Sequence, residues 1–459
     1  MNKREVEDYA IANLSDVEEY ITIPSISAQG TGINETSDWL VNEFKSLGAS
    51  TVEKWHDQGG NPVVFAAFKG AKQTTVLFYN HYDVQPPEPL DEWHSDPFKL
   101  TQRDGKMFAR GVCDDKGELM SRLTLIKYFN EHGGLPVNLK FFVEGEEEVG
   151  SPHVGDYLKA HAAELKADVC LWEGGGKNAV DHFEVTCGLK GIATFELSVQ
   201  TADVDIHSSL ASYADNAVWR LMEAVTSLRG KDGRVKVSGF YDNIKPLSST
   251  ETAAVEQMDF DGEAVKNTFG LKGNFVYPDP KTELVNGTTL TVNGIMGGYA
   301  GAGVKTIIPR SASAKLDCRL VPGQEPAELM NLIRKQLNRN GFSDVEMKPT
   351  HAELPFRTNL DDPFVKLNVK IAKQVYGDEN VRLVPNMPGS GPAGEFANEL
   401  GKSLPIVMVG VHYAASKPHS PNENIRQSDY QEGTYFLGEL LTAVGAQSEE
   451  FKVSSLNNE

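Results

Sequence analysis

Sulfur and positive charge are both scarce in this chain. Its 459 residues include 4 cysteines, Cys113, Cys170, Cys187 and Cys318, far apart and without a CxxC pair. That excludes a disulfide framework and a thiolate zinc site. Lysine and arginine number 44 against 64 aspartates and glutamates, a formal net charge of −20. Nucleic acid or an anionic membrane would repel such a chain, whereas bound cations are tolerated. No apolar stretch approaches the roughly 20 residues that cross a bilayer. The start, MNKREVEDYAIANLSDVEEY, is charged and helix-patterned without an apolar signal region, so a cytoplasmic location is expected. There is no GxSxG and no cysteine beside a credible base, which disfavours a covalent acyl intermediate.

What is present is an alternation of short apolar runs with helical patterns. TTVLFYN (74–80), VNLKFFV (137–143), ADVCLW (167–172) and LPIVMVGV (404–411) read as buried strands. Between the first two, Leu119, Leu123, Ile126 and Phe129 recur at helical spacing. Asp114 or Asp115 is placed to cap the start and Gly133 to end it. This predicts an α/β fold with a mostly parallel sheet flanked by helices. From about 188 to 350 the pattern changes to alternating strands around two helices, at 216–229 and 326–340. Strand–helix–strand–strand–helix is an α+β, ferredoxin-like order. The expected organisation is one α/β domain formed by residues 1–187 and 353–459, with a smaller domain, 188–352, inserted into it.

In open α/β sheets ligands bind beyond the carboxyl ends of the strands, and charged residues collect there. His81 and Asp83 follow the first run, Glu146, Glu147 and Glu148 the second, Glu173 the third, and a loop with His419 the fourth. Asp114 and Asp115 open the intervening helix. Each has an ordinary alternative, as a helix cap, a solvated turn or a lone histidine. Together, two imidazoles and several carboxylates at one sheet edge would be desolvated and mutually repelled unless cations held them. Nitrogen and oxygen donors without sulfur suit two divalent ions, zinc first and manganese or cobalt as alternatives.

The motifs HYDVQP, ARGVCDDKGE, EGEEEVGS, DIHSS, KTIIPR, RLVP and PHSPNE occur in the order of the di-zinc exopeptidase family, over nearly the whole chain. That family includes carnosinases, cytosolic dipeptidases, glutamate carboxypeptidase and the succinyl-diaminopimelate and acetylornithine deacylases. The chain resembles the carnosinase-like dipeptidases most. The resemblance implies an inserted lid domain that forms a homodimer contact. It implies His81, Asp114, Glu148, Glu173 and His419 as metal ligands, with Asp114 bridging and Asp115 structural. Glu147 would be the general base for a water activated between two metals, and Asp83 would orient His81 by hydrogen bonding. Glu146 takes a variable position and is expected to be solvated.

For substrate, PGSGPAGEFANEL places Gly389, Ser390 and Gly391 before Pro392, a good first helical residue. Free N–H groups there could take a carboxylate, or simply start an ordinary capped helix. The resemblance assigns the loop to the substrate carboxylate. It adds Arg319 as a bidentate clamp, with Arg310 as a further candidate, and His207 as a lid histidine reaching a partner's active site. GIMGGYAGAG is not a phosphate loop, because strand pattern rather than helix follows it. The expected activity is hydrolysis of dipeptides or small peptides with a free carboxylate. Glu173, where dipeptidases more often carry Asp, leaves a deacylase or carboxypeptidase as the alternative. A two-metal phosphoesterase would need more basic groups than are evident, and a non-catalytic scaffold would lack Glu147 or a ligand.

Overall fold

The four apolar runs become neighbours in one sheet. In the computed structural model, which describes residues 1–447 and 451, the strand Lys72–His81 lies between Val137–Glu144 and Val169–Trp172, and Ile406–Met408 follows Val169–Trp172. All three pairings are parallel. Such strands are buried on both faces, which explains their continuous apolar character. Antiparallel strands extend the sheet at one edge, through Val63–Phe68 and Thr51–Trp55. Of the run 404–411 only Ile406–Met408 stays in the sheet; the remainder turns away toward the His419 loop.

Alternation along these strands separates two cores. Phe78 and Phe141 stack on one face, at 4.8 Å between ring centroids, under the helix Lys116–Glu131. Tyr79, Phe142 and Trp172 point to the other face and pack around Phe396 of the helix Ala393–Leu400. Lys116–Glu131 is buried almost all round, because Lys3–Ala12, Leu14–Ile21 and Gln427–Ala446 cover its outer side. The expected side-chain cap at its start is not made. Asp115 occupies the N-cap position, but its carboxylate turns toward the sheet, accepting from Asn80 and from the His81 N–H.

A second sheet of four antiparallel strands has the order Thr289–Gly297, Ser311–Leu320, Gly191–Gln200, Glu346–Glu353. Its core joins Phe195, Leu197 and Leu316 to Leu221 of Ala217–Ser227 and Ile333 of Pro326–Arg339. Three further helices, Ser249–Gln257, Gly262–Phe269 and Pro280–Asn286, stand between Ala217–Ser227 and Thr289–Gly297, where the sequence reading placed none. Their start signals are local: a capping box from Ser248 and Glu251, and Asp261 and Asp279 caps. The glycine-rich stretch 298–303 is an exposed loop, followed by the strands Ile307–Ile308 and Ser311–Leu320.

Candidate active site and metal centre

The sheet delivers its charged residues to one edge. His81 is the last residue of its strand and pairs in register with Glu144, so the Gly145–Glu148 turn leaves the sheet beside it. Glu173 follows directly on Trp172 of the neighbouring strand. The His419 loop then folds back over this edge. His419 itself has φ +58°, in the left-handed region. A non-glycine residue there costs about 1–3 kcal/mol and persists only when its surroundings over-determine it. Here they do: Asn424 donates to the carbonyls of Ala415 and Asn422, and Glu423 is bonded deep in the protein.

Asp114 lies at the middle. Its Oδ1 is 2.9 Å from His81 Nε2 and its Oδ2 is 2.9 Å from His419 Nε2. His419 Nε2 is also 3.1 Å from Glu148 Oε2. Two triads result, His81–Asp114–Glu173 and Asp114–Glu148–His419, each with ligand atoms within 4.8 Å of one another. They share Asp114.

The supports of this edge differ in part from expectation. His81 Nδ1 is 3.0 Å from the main-chain oxygen of Asp83 and 3.5 Å from its carboxylate, so the backbone carbonyl is the nearer partner. The Asp83 carboxylate accepts the N–H groups of Glu147 and Glu148, at 3.2 and 3.1 Å, and so fixes the glutamate turn. Gln85 donates to Glu148 Oε2 at 2.8 Å. Glu146 is not solvated: it pairs with His153 Nδ1 at 2.7 Å, and its side chain is 12% exposed.

Burial dominates the electrostatics. It pushes Glu147 well above the ordinary carboxylate range; His81 opposes this, and Asp114, Glu173 and Glu148 add to it. Burial, then repulsion from Asp115, brings Glu173 up to about 8. Asp114 goes the other way, because hydrogen bonds from His419 and His81 outweigh its desolvation. His419 rises to about 10 through its bonds to Asp114 and Glu148. Two imidazoles face this larger set of buried acids, two of which, Glu147 and Glu173, are pushed toward their protonated form. A hard or borderline divalent cation fits the donor set better: nitrogen and oxygen only, excess negative charge, and one carboxylate facing both ways.

The substrate candidates fall into two groups. Arg319 Nη1 donates to Ser390 Oγ at 2.7 Å, joining the small sheet to the 389–391 loop. A Cβ on Gly391 would stand 4.0 Å from Glu147 Oε1, so this loop borders the glutamate turn. Pro392 falls just before the first helical residue, Ala393, rather than on it. His207 and Arg310 are not brought to this edge. His207 is exposed, with Nδ1 2.8 Å from Ser209 Oγ, and Arg310 binds the Asp203 carbonyl.

Glu423 was missed as a functional residue, although it stands within PHSPNE. Fully buried, it accepts from Arg110 and from the N–H groups of Gly111, Cys113 and Asp114. It therefore ties the His419 loop to the Asp114 turn. The sequence signal was a glutamate four residues after His419, with no indication of what it would meet some 310 residues away.

The sequence profile described as Peptidase family M20/M25/M40 matches residues 77–443. The chain is 30% identical to the Cys-Gly metallodipeptidase dug1 of Schizosaccharomyces pombe, over 90% of this chain and 91% of that one. It is 29% identical to the human Beta-Ala-His dipeptidase, over 81% and 76% of the two chains. Among solved structures, an M20 family metallo-carboxypeptidase, Sso-CP2 from Sulfolobus solfataricus, superposes with a TM-score of 0.88 at 36% identity, covering 94% of this chain and 99% of that one. The profile spans both halves of the large sheet and every residue of the two triads, and the chain belongs to Peptidase family M20/M25/M40, as a metallopeptidase-type enzyme.

Proposed function

We propose that this enzyme hydrolyses the amide bond of dipeptides or similarly small peptides with a free carboxylate, using two divalent ions held by His81, Asp114, Glu148, Glu173 and His419. The observation that carries the reading is the pair of triads sharing Asp114, with Glu147 beside them. Two relatives named as dipeptidases support the substrate class. The name of the solved metallo-carboxypeptidase supports a second reading, trimming of longer peptides. Zinc is the preferred ion on ligand chemistry, with manganese or cobalt as alternatives.

Such ions, when bound, supply Lewis-acid polarisation of the scissile carbonyl and bring the pKa of water down to about 7. The protein's part is positional and acid–base. Glu147 takes a proton from the attacking water and returns it to the leaving nitrogen. Asp83 keeps Glu147 and Glu148 on one turn. Arg319 and Ser390 take the substrate carboxylate, with the Gly391 backbone beside them. Replacing Arg319 by Ala removes a charge-assisted bond of about 1.5–3 kcal/mol. KM for free dipeptides should then rise by about 10- to 150-fold. C-terminally amidated analogues should be little affected. An equal loss on both would reject the carboxylate role.

We further infer that residues 188–352 act as a lid inserted between 1–187 and 353–459, and that the enzyme is a cytoplasmic homodimer through this lid. Its edge strand Thr289–Gly297 exposes Val292, Ile295 and Met296, and Trp219 on Ala217–Ser227 is 61% exposed. An unpaired apolar edge of this kind seeks a partner. His207, whose ring bonds to Ser209 and not to its own chain's triads, would then act on the partner's substrate. His207→Ala should lose most activity, and mixing it with Glu147→Ala protomers should restore a fraction. Absence of rescue despite confirmed subunit exchange would contradict the trans arrangement.

The reading is tested with a panel of dipeptides, tripeptides and N-acyl amino acids. Cleavage of dipeptides in preference to the rest is expected. Cleavage of N-acyl amino acids alone would move the enzyme to the deacylases, and preference for longer peptides would make it a carboxypeptidase.

A further inference from the structure

The helix Lys116–Glu131 carries a buried ion pair that the chemistry above does not use. Glu118 and Arg122, with side chains 2% and 3% exposed, are bonded to each other one turn apart. Burying two charges is costly, and apolar residues of the same size would often be as stable or more so, so stability alone is weak grounds for the pair. Its other contacts are specific. Arg122 donates to the carbonyl of Tyr79 at 2.8 Å, to Asn80 Oδ1 at 2.7 Å and to the carbonyl of Trp172 at 2.8 Å. Glu118 Oε2 accepts the Gly174 N–H at 3.1 Å. These partners are the two residues before His81 and the residues on either side of Glu173. Asn80, in turn, donates to Asp115, which also receives the His81 N–H.

We propose that Glu118 and Arg122 are positioning residues for one of the two metal positions, that of His81 and Glu173, by fixing the gap between the ends of the strands that carry them. The inference rests on the two-ion reading above. The other position is held separately: Glu148 by Asp83 and Gln85, and the His419 loop by Glu423. None of those bonds involves Glu118 or Arg122, though Glu118 Oε2 stands 3.7 Å from His412 Nε2, on the segment that leads into the His419 loop. Gly410 belongs to the same device. A Cβ there would stand 2.2 Å from Glu118 Oε2 and 3.0 Å from the Gly174 carbonyl, so only glycine leaves the carboxylate in place.

The test is the number and affinity of bound ions, read by cobalt or zinc titration and elemental analysis of the full-length protein, with thermal melts as a fold control. Wild type should bind two ions. Arg122→Lys keeps the charge but loses the planar fork, and Gly410→Ala displaces the carboxylate without altering charge. Each variant should keep one ion at wild-type affinity and bind the other about 10- to 100-fold more weakly, the usual cost of losing an outer partner of a ligand. A merely structural role would lower the melting temperature without selecting a site. Variants that bind two ions as wild type does, or lose both in parallel, would overturn the inference alone. Wild type binding a single ion would overturn the two-ion reading and this inference with it.

Discussion

Glu147→Gln should lower kcat by about 10²- to 10⁴-fold, the range that a positioned general base contributes. Metal content and melting temperature should stay near wild type. Glutamine preserves the shape of the side chain and the turn, because that turn is held through the backbone N–H groups of Glu147 and Glu148 on Asp83. It removes the carboxylate charge and with it the ability to carry a proton. Its place argues for the base role: Glu147 is buried beside Asp114, Glu173 and Glu148, the acids of the two triads. The 389–391 loop borders the same carboxyl, so a substrate carboxylate held there brings its amide bond close to it. Rates within a few-fold of wild type would remove Glu147 from the mechanism.

Asp114→Asn should be still more damaging, because it would act on both proposed metal positions. Its two oxygens face His81 and His419 at equal distances of 2.9 Å, and both triads need it. An asparagine offers a single acceptor oxygen and no charge. Affinity at both positions should fall by more than the roughly 10- to 100-fold seen when only an outer partner is lost. Metal at about 100 times its Kd stabilises a folded protein by about 2.7 kcal/mol. The variant should therefore lose activity and also the rise in melting temperature that added metal gives wild type. Retention of one tight ion by Asp114→Asn would refute the shared carboxylate.

Much of the site was legible because strand ends in a parallel sheet are a strong constraint. Once 74–80, 137–143, 167–172 and 404–411 read as strands, His81, Glu147, Glu148, Glu173 and His419 had to collect at one edge. The distinction between Asp114 and Asp115 came from resemblance, since either could have been a cap; in the structure neither caps the helix with its side chain. What the sequence hid were contacts between distant segments. Glu118 and Arg122 look like an ordinary surface pair at i and i+4, and nothing local tells that both are buried. Glu146 looks like the most dispensable member of an acidic run, and only the fold brings His153 to it. The helices between 249 and 286 were missed for a different reason. Their caps at Ser248, Asp261 and Asp279 are local signals, but the helices are only seven to nine residues long, too short to show a helical period against the strand alternation elsewhere in the region.

The central claim is that two cations, bound through one shared carboxylate, make this edge of the sheet a peptidase. It is tested most directly by stripping the protein of metal and following dipeptide hydrolysis as zinc, manganese or cobalt is returned in measured equivalents. The account predicts no hydrolysis in the stripped protein and full activity as the second equivalent binds. Activity that persists without metal, or that is complete at one equivalent, would contradict it.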